Sequence, residues 1–186
     1  SWGDLTWGKR AGTWSSPSRS KITDIKQWGT NTPTNSEWVF ADCDGLTTMS
    51  AIDTPNPPTS GDCRSMFVFS NNFVANGSLS EWNTTGVTRM GGMFKQVNLT
   101  ADISKWDFSS IVTGSTGLGT FLNSGSLTTA NYDLLLKALA TDQYYTTPSG
   151  LTFDGGNSTY TTAASAGYRS TLTTGKSWTI TDGGGI

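Results

Sequence analysis

The side chains able to carry chemistry come as paired carboxylates, Asp42 with Asp44, Asp102 with Asp107 and Asp154 with Asp182, and as two cysteines, Cys43 and Cys63. Paired carboxylates suit general acid–base work on a glycosidic bond, or a hard cation such as calcium, which takes carboxylate and carbonyl oxygens. Each pair stands in a turn context, where Asp bonds to nearby backbone N–H groups, so turn capping is the reading taken. "DCDG" and "FDGGN" offer oxygen ligands, but neither continues into an EF-hand loop, and no metal is assigned. The cysteines lack the Cys-x-x-Cys spacing of zinc or redox sites; they read as two buried thiols, with one disulfide as the alternative. Histidine is absent, which removes the commonest general base and metal ligand. The expectation is a protein that is not an enzyme, with no catalytic residue, no cofactor and no metal.

Composition sets what must position these residues. The 186 residues carry a net charge of −2 and only 14% charged side chains, so there is no basic footprint for nucleic acid or an anionic membrane. No apolar run approaches the roughly 20 residues that span a bilayer, and membrane insertion is not expected. Twenty-two glycines and abundant Thr and Ser point to short strands and many turns, with hydroxyls and amides keeping the surface wet. The sequence opens on "SWGDLTWG" without Met: a removed signal or tag, a fragment boundary, or loss of an initiator Met before Ser. Under the last reading, a hydroxyl-rich surface of extracellular type on a protein made in the cytoplasm suggests a virus particle released by lysis.

The apolar residues repeat. Phe40, Phe67, Phe94 and Phe121 recur at one constant interval, and the position before them holds Val39, Met66, Met93 and Thr120. Four before Phe stand Ser36, Cys63, Met90 and Gly117. A second series of apolar pairs interleaves with the first: Ile25 and Trp28, Met49 and Ile52, Leu79 and Trp82, Ile103 and Trp106. The longest insertion carries Pro55, Pro57 and Pro58. One such unit cannot bury its Phe, Trp and Met alone, but stacked units make a continuous core. The expected repeat core is therefore Phe40, Phe67, Phe94, Phe121, Met66, Met90, Met93, Trp28, Trp82, Trp106, Leu79 and Ile103. The predicted architecture is an α/β repeat, a right-handed solenoid of about four coils of 24–30 residues, each with one short strand and one turn or helical segment.

"SEWNTTGVTRMGGMFKQVNLTADISKWDFSSIVTG" resembles the repeat of the BspA-like leucine-rich-repeat surface proteins, whose units read approximately "dIsxWDtSxVTxMxxMFxxaxxFN". Ile103, Ser104, Trp106, Asp107, Val87, Thr88, Met90, Met93 and Phe94 carry the match; it is specific from about Thr84 to Val112 and continues in phase back to Ile22. "STGLGTFLNS" departs from it by losing both Met positions, and Asn83 replaces the usual Asp. The resemblance implies a leucine-rich-repeat-like solenoid on a surface-displayed protein.

Three regions follow: an arm over residues 1–20 rich in Trp, Gly and Ser, the solenoid over 21–127 and a capping segment of helix and strand over 128–186. In the last, Thr128 or Thr129 caps a helix through "ANYDLLLKALA" with Tyr132, Leu135, Leu136 and Leu139 on one face. A second helix runs through "TTAASAGYRSTL" and ends near Gly175, before a strand at "SWTIT". The arm holds Trp2, Trp7 and Trp14, which either cover the first coil or form an attachment peptide that docks on another subunit or a virion.

The function expected is a non-enzymatic structural or adhesion protein displayed on a surface. The virion surface of a phage is favoured, as a capsid decoration, fibre or tail-associated protein; a bacterial cell-surface leucine-rich-repeat adhesin is the alternative, and a carbohydrate-active enzyme a remote one. The partners expected are other virion or surface subunits, met through the arm, and a glycan or host-surface ligand. Tyr144 and Tyr145 are candidates for exposed aromatic contacts. Sequons at Asn76, Asn83, Asn98 and Asn157 arise readily by chance in so Asn- and Thr-rich a chain.

Overall fold

A computed structural model describes residues 19–73 and 77–186. The arm's Trp2, Trp7 and Trp14, and Asn76, lie outside the described residues. The chain is a mixed α/β fold: small parallel sheets, two helices and an extensive buried aromatic cluster.

The constant spacing of Phe is a spacing between layers. Phe40 and Phe67 stack with ring centroids 5.3 Å apart, and Phe67 and Phe94 with centroids 5.5 Å apart and 4° between planes. Phe121 meets Phe94 edge-on at 5.6 Å. Offset-stacked and edge-on rings are the arrangements the aromatic quadrupole favours, each worth about 0.5–1.5 kcal/mol beyond the area buried. Met66, Met90, Met93, Leu79, Ile103, Trp82 and Trp106 are buried among the rings, while Trp28 is half-buried against the same cluster.

Between layers the backbone bonds at every second residue. The N–H groups of Ser36, Trp38, Phe40 and Asp42 donate to the carbonyls of Asp62, Arg64, Met66 and Val68. Those of Cys63, Ser65, Phe67 and Phe69 donate to Arg89, Gly91, Met93 and Lys95. The backbone holds this ladder without a pleat because it enters the left-handed region two residues before and two after Phe40, Phe67 and Phe94: Trp38 and Asp42, Ser65 and Phe69, Gly92 and Gln96. Only Gly92 among the six is free of the Cβ penalty of that region.

This geometry corrects the expectation of a strand in every coil. Among the described residues before 97, the layers share only isolated bridges, Asp24 to Thr48 and Asp62 to Arg89, because recurrent left-handed residues interrupt extended backbone. Two-residue strands appear later, β1 (Asn98–Leu99) parallel to β2 (Ser126–Leu127). A second correction concerns Ile52, read as the partner of Met49: its side chain is 99% exposed. Asp53 instead turns toward the layer before, accepting the N–H groups of Trp28 and Gly29 at 2.8–3.1 Å, and the proline run follows. With Ile52 swung out, Trp28 reaches Trp82 directly, edge-on at 5.0 Å.

The end of the stack is closed by α1 (Thr129–Thr141), β3 (Thr152–Asp154), α2 (Thr162–Ser170) and β4 (Thr179–Thr181). Thr128 caps α1, its hydroxyl accepting from the Asn131 N–H, and Asp142 ends it in the left-handed region. Tyr132, Leu135, Leu136 and Leu139 form its buried stripe, as the spacing predicts. A wide turn, Thr171–Gly175, continues α2 to Gly175 and buries Leu172. β3 and β4 pair in parallel, Phe153 opposite Ile180. The sheet joins the stack where Leu118 bridges Phe153, and the Phe153 ring lies 6.2 Å from Phe121.

Candidate functional site

The carboxylates singled out from the sequence are mostly engaged by backbone. Asp102, Asp107, Asp154 and Asp182 each accept the N–H of the residue two further on, from Ser104, Ser109, Gly156 and Gly184, at 2.8–3.2 Å. This is the local turn bond that Asp makes readily, and it occupies oxygens that a substrate or cation would need. Asp154 also accepts from the Asn123 amide at 3.0 Å. Asp42 is at φ 55° with its N–H given to Val68, and the Asp44 carbonyl accepts from the Asn72 amide. Among the described residues no group of three or more Cys, Asp or Glu is arranged to hold a metal ion.

Cys43 and Cys63 are both buried. Burial, with the Asp62 carboxylate nearby, pushes the Cys63 thiol up to about 12, the opposite of what a nucleophilic or metal-binding cysteine requires. The Cys43 N–H donates to the Ser70 hydroxyl, which in turn donates to the Phe40 carbonyl at 2.6 Å. Ser158 repeats the device further along, accepting from the Leu127 N–H and donating to the Gly155 carbonyl.

Among the described residues, Arg64 pairs with Asp62 and Glu37 within the stack, and two further charged clusters, both in the closing segment, were not legible in the sequence. In the first, Asp182 accepts from the Tyr132 hydroxyl at 2.8 Å and from Arg169 Nε at 2.8 Å, and Arg169 also donates to the Ile180 carbonyl. The Asp182 side chain is 3% exposed, so its charge is matched inside the fold. Burial raises the Tyr132 hydroxyl well above its ordinary value, with the Asp182 charge adding to it; the hydrogen bond to Asp182 raises Arg169. In the second cluster Lys176 bonds the Asp142 carboxylate and the Thr147 hydroxyl. Burial opposes the charge on Asp142, but Lys176 and the Thr147 N–H outweigh it and hold the carboxyl below its ordinary value. Both clusters pin the closing segment: Asp182 and Lys176 come from the chain's end, Tyr132 and Asp142 from α1 and its cap. No linear motif joins Tyr132, Arg169 and Asp182, which meet where α1, α2 and the end of β4 come together.

What remains for contact is surface. Tyr144 and Tyr145 are exposed beside a shallow depression lined by Trp106, Phe108, Leu139 and Thr147, and Ile52 stands clear on the proline loop. Hydroxyl and amide rungs cross between layers on the outer face: Ser50 to Asp24 at 2.6 Å, Ser126 to Asn98 at 2.9 Å. Asn83, Asn98 and Asn157 are exposed. An apolar pocket of about 620 Å³, counted with its open mouth, lies against Ile25, Trp28, Pro33, Val39, Phe40 and Met66. Among the described residues no helix is long and apolar enough to cross a membrane.

The described residues thus define a layered aromatic repeat of mixed α/β type, with charged clusters both within the stack and in the closing segment. Residues 34–121 match the family described as "Mycoplasma protein of unknown function, DUF285", which is related to the BspA-like leucine-rich-repeat surface proteins. No curated protein and no solved structure matches the chain.

Proposed function

We propose that this chain is a non-enzymatic, surface-displayed structural or adhesion protein built as a leucine-rich-repeat-like, right-handed solenoid. The observation that carries the reading is the registered stack: Phe40, Phe67 and Phe94 superpose layer on layer while Ser, Thr and Asn rungs are left outside. Such a stack spends its aromatics on cohesion and offers a long hydroxylated face, the form repeat proteins use for extended binding surfaces. The relation of the matched family to surface proteins supports display on a cell envelope. Display on a virion, the location favoured from the sequence, draws no such support.

A ligand of this face is neutral and hydrogen-bonding, a glycan or a host-surface polymer, with Tyr144 and Tyr145 as the aromatic contacts. Labelled antibody on washed cells and on filtered particles from the same culture tests the reading. Labelling of intact cell envelopes is expected. Labelling of particles alone favours the virion, and protein confined to the cell interior contradicts display altogether.

A further inference from the structure

The sequons at Asn76, Asn83, Asn98 and Asn157 differ in what precedes them. Two residues before the asparagine stand Val74, Glu81, Gln96 and Gly155 in turn, so Asn83 alone follows an acid, in Glu81-Trp82-Asn83-Thr84-Thr85. That spacing matters to a transferase that moves an oligosaccharide from a lipid pyrophosphate to an asparagine amide. All such enzymes require the hydroxyl two residues after the asparagine, which is the origin of the Asn-x-Ser/Thr rule. Those of the single-subunit bacterial type also pair an arginine with a carboxylate two residues before it, a charge-assisted contact that glutamine cannot replace. Glu81, Asn83 and Thr85 are the three side chains such an enzyme reads.

The fold presents those three together. Glu81, the last residue of the short helical turn Gly77–Glu81, is exposed, as are Asn83 and Thr85, while Trp82 and Thr84 between them are buried. Thr84 fastens the segment to the next layer, its hydroxyl accepting the Asp107 N–H at 2.7 Å and donating to the Asp107 carbonyl at 3.2 Å. Asn83 Oδ1 accepts the Thr85 N–H at 3.0 Å, which closes a turn whose tip, Thr85 and Gly86, is exposed. One layer on, Lys105-Trp106-Asp107-Phe108-Ser109 makes the same turn, with Asp107 accepting the Ser109 N–H at 2.8 Å, but Asp107 is buried and has no amide nitrogen. Asn at position 83 therefore keeps the turn bond and adds the group an acceptor needs. A sugar on Nδ2 leaves Oδ1 bonded to Thr85. Gln96-Val97-Asn98-Leu99-Thr100 has the same alternation of exposed and buried residues, but Gln replaces the acid and Asn98 Oδ1 accepts the Ser126 rung at 2.9 Å.

We propose that Asn83 is the acceptor for an N-linked oligosaccharide, transferred from a polyprenyl-pyrophosphate donor by a transferase that reads Glu81 and Thr85. Asn83 Nδ2 attacks the anomeric carbon of the donor sugar, and the new C–N bond replaces the C–O bond to pyrophosphate. The lipid pyrophosphate leaves with the bonding pair, and a proton of Nδ2 passes to a carboxylate of the transferase. The proposal rests on the display reading in one respect: the chain must cross to the membrane face where such donors are used.

The test exports the full chain, behind a cleavable leader, in a bacterial host carrying a single-subunit oligosaccharyltransferase and its lipid-linked donor, and maps glycopeptides by mass spectrometry. The leader imposes export, so the outcome does not depend on where the chain is displayed, which antibody labelling tests separately. Occupancy is expected at Asn83 and at neither Asn98 nor Asn157. Glu81→Gln is expected to lower it several-fold, Thr85→Val to abolish it and Thr85→Ser to retain most of it. Asn83→Asp, which keeps the turn bond as Asp107 does, is expected to lose the glycan with the melting temperature unchanged. An exported, folded chain with Asn83 unoccupied overturns the proposal. Occupancy that Glu81→Gln leaves unaltered, or that is equal at Asn98 and Asn157, also overturns it.

Discussion

The Trp82 and Trp106 indoles lie parallel, with centroids 5.9 Å apart and 4° between planes, yet only Trp106 has an acceptor for its ring N–H. Trp106 donates to the Leu79 carbonyl one layer back. The layer behind Trp82 is the one from which Ile52 has swung out, and no acceptor stands there among the described residues.

Equal substitutions at the two positions should therefore cost unequal amounts. Trp→Phe removes similar volume from both, but at position 106 it also removes the indole's bond to the Leu79 carbonyl, which keeps only the Trp82 N–H, and a net hydrogen bond is worth about 0.5–1.5 kcal/mol. At position 82 it removes an unpaired donor. Equilibrium denaturation of the two variants should place Trp106→Phe below Trp82→Phe by an amount in that range; equal losses would mean the indole bond contributes nothing.

The Tyr132–Asp182–Arg169 cluster predicts a localised weakness. Asp182→Ala leaves the buried Tyr132 hydroxyl and the partly exposed Arg169 guanidinium without their shared acceptor. The loss should be about 2–3 kcal/mol, within the range for orphaned polar groups and charges, and should appear as faster amide exchange in α2 and β4 before the stack. Global exchange at a single rate would show that the segment is not a separate unit.

Acid should destabilise the protein over a defined window. Asp142 is held below its ordinary value by Lys176 and Thr147 against the penalty of burial, and Asp53 by the N–H groups of Trp28 and Gly29. A carboxyl depressed in the fold binds protons more readily when unfolded, so its contribution is full above the unfolded value near 3.8 and is lost as pH falls through the lower folded value. Melting temperature should hold steady from about pH 5 to 8, where there is no histidine to titrate, and fall below about pH 4. Asp142→Asn should flatten that acid limb.

Cys63, with its thiol raised to about 12, and the buried Cys43 should resist thiol reagents at pH 8. Ellman's reagent should find no thiol in the native chain and two after denaturation without reductant. One or none after denaturation would indicate oxidation.

The repeat was legible because stacking demands that like residues recur at a fixed interval, and the even spacing of Phe40, Phe67, Phe94 and Phe121 needed only counting. The helix over 129–141 was equally plain from its Thr cap and Leu stripe. The coil backbone was harder, since Trp38, Ser65 and Phe69 give no glycine signal for the left-handed conformation they adopt. Ile52 misled because its spacing fits the apolar series, while the outcome depends on Asp53 binding two N–H groups in the preceding layer. Neither charged cluster of the closing segment could be read, because members as distant in sequence as Tyr132 and Asp182 meet through tertiary packing of α1 against the end of β4 rather than local order.

The account rests on the aromatic register being a physical stack, and Phe94, fully buried between Phe67 and Phe121, is its centre. Denaturant unfolding of Phe94→Ala, beside an Ile52→Ser control at the exposed position of the same pattern, tests this most directly. The stack predicts a loss of about 3–5 kcal/mol for Phe94→Ala and a change within about 0.5 kcal/mol for Ile52→Ser. A near-neutral Phe94→Ala would mean that the phenylalanine register holds nothing together.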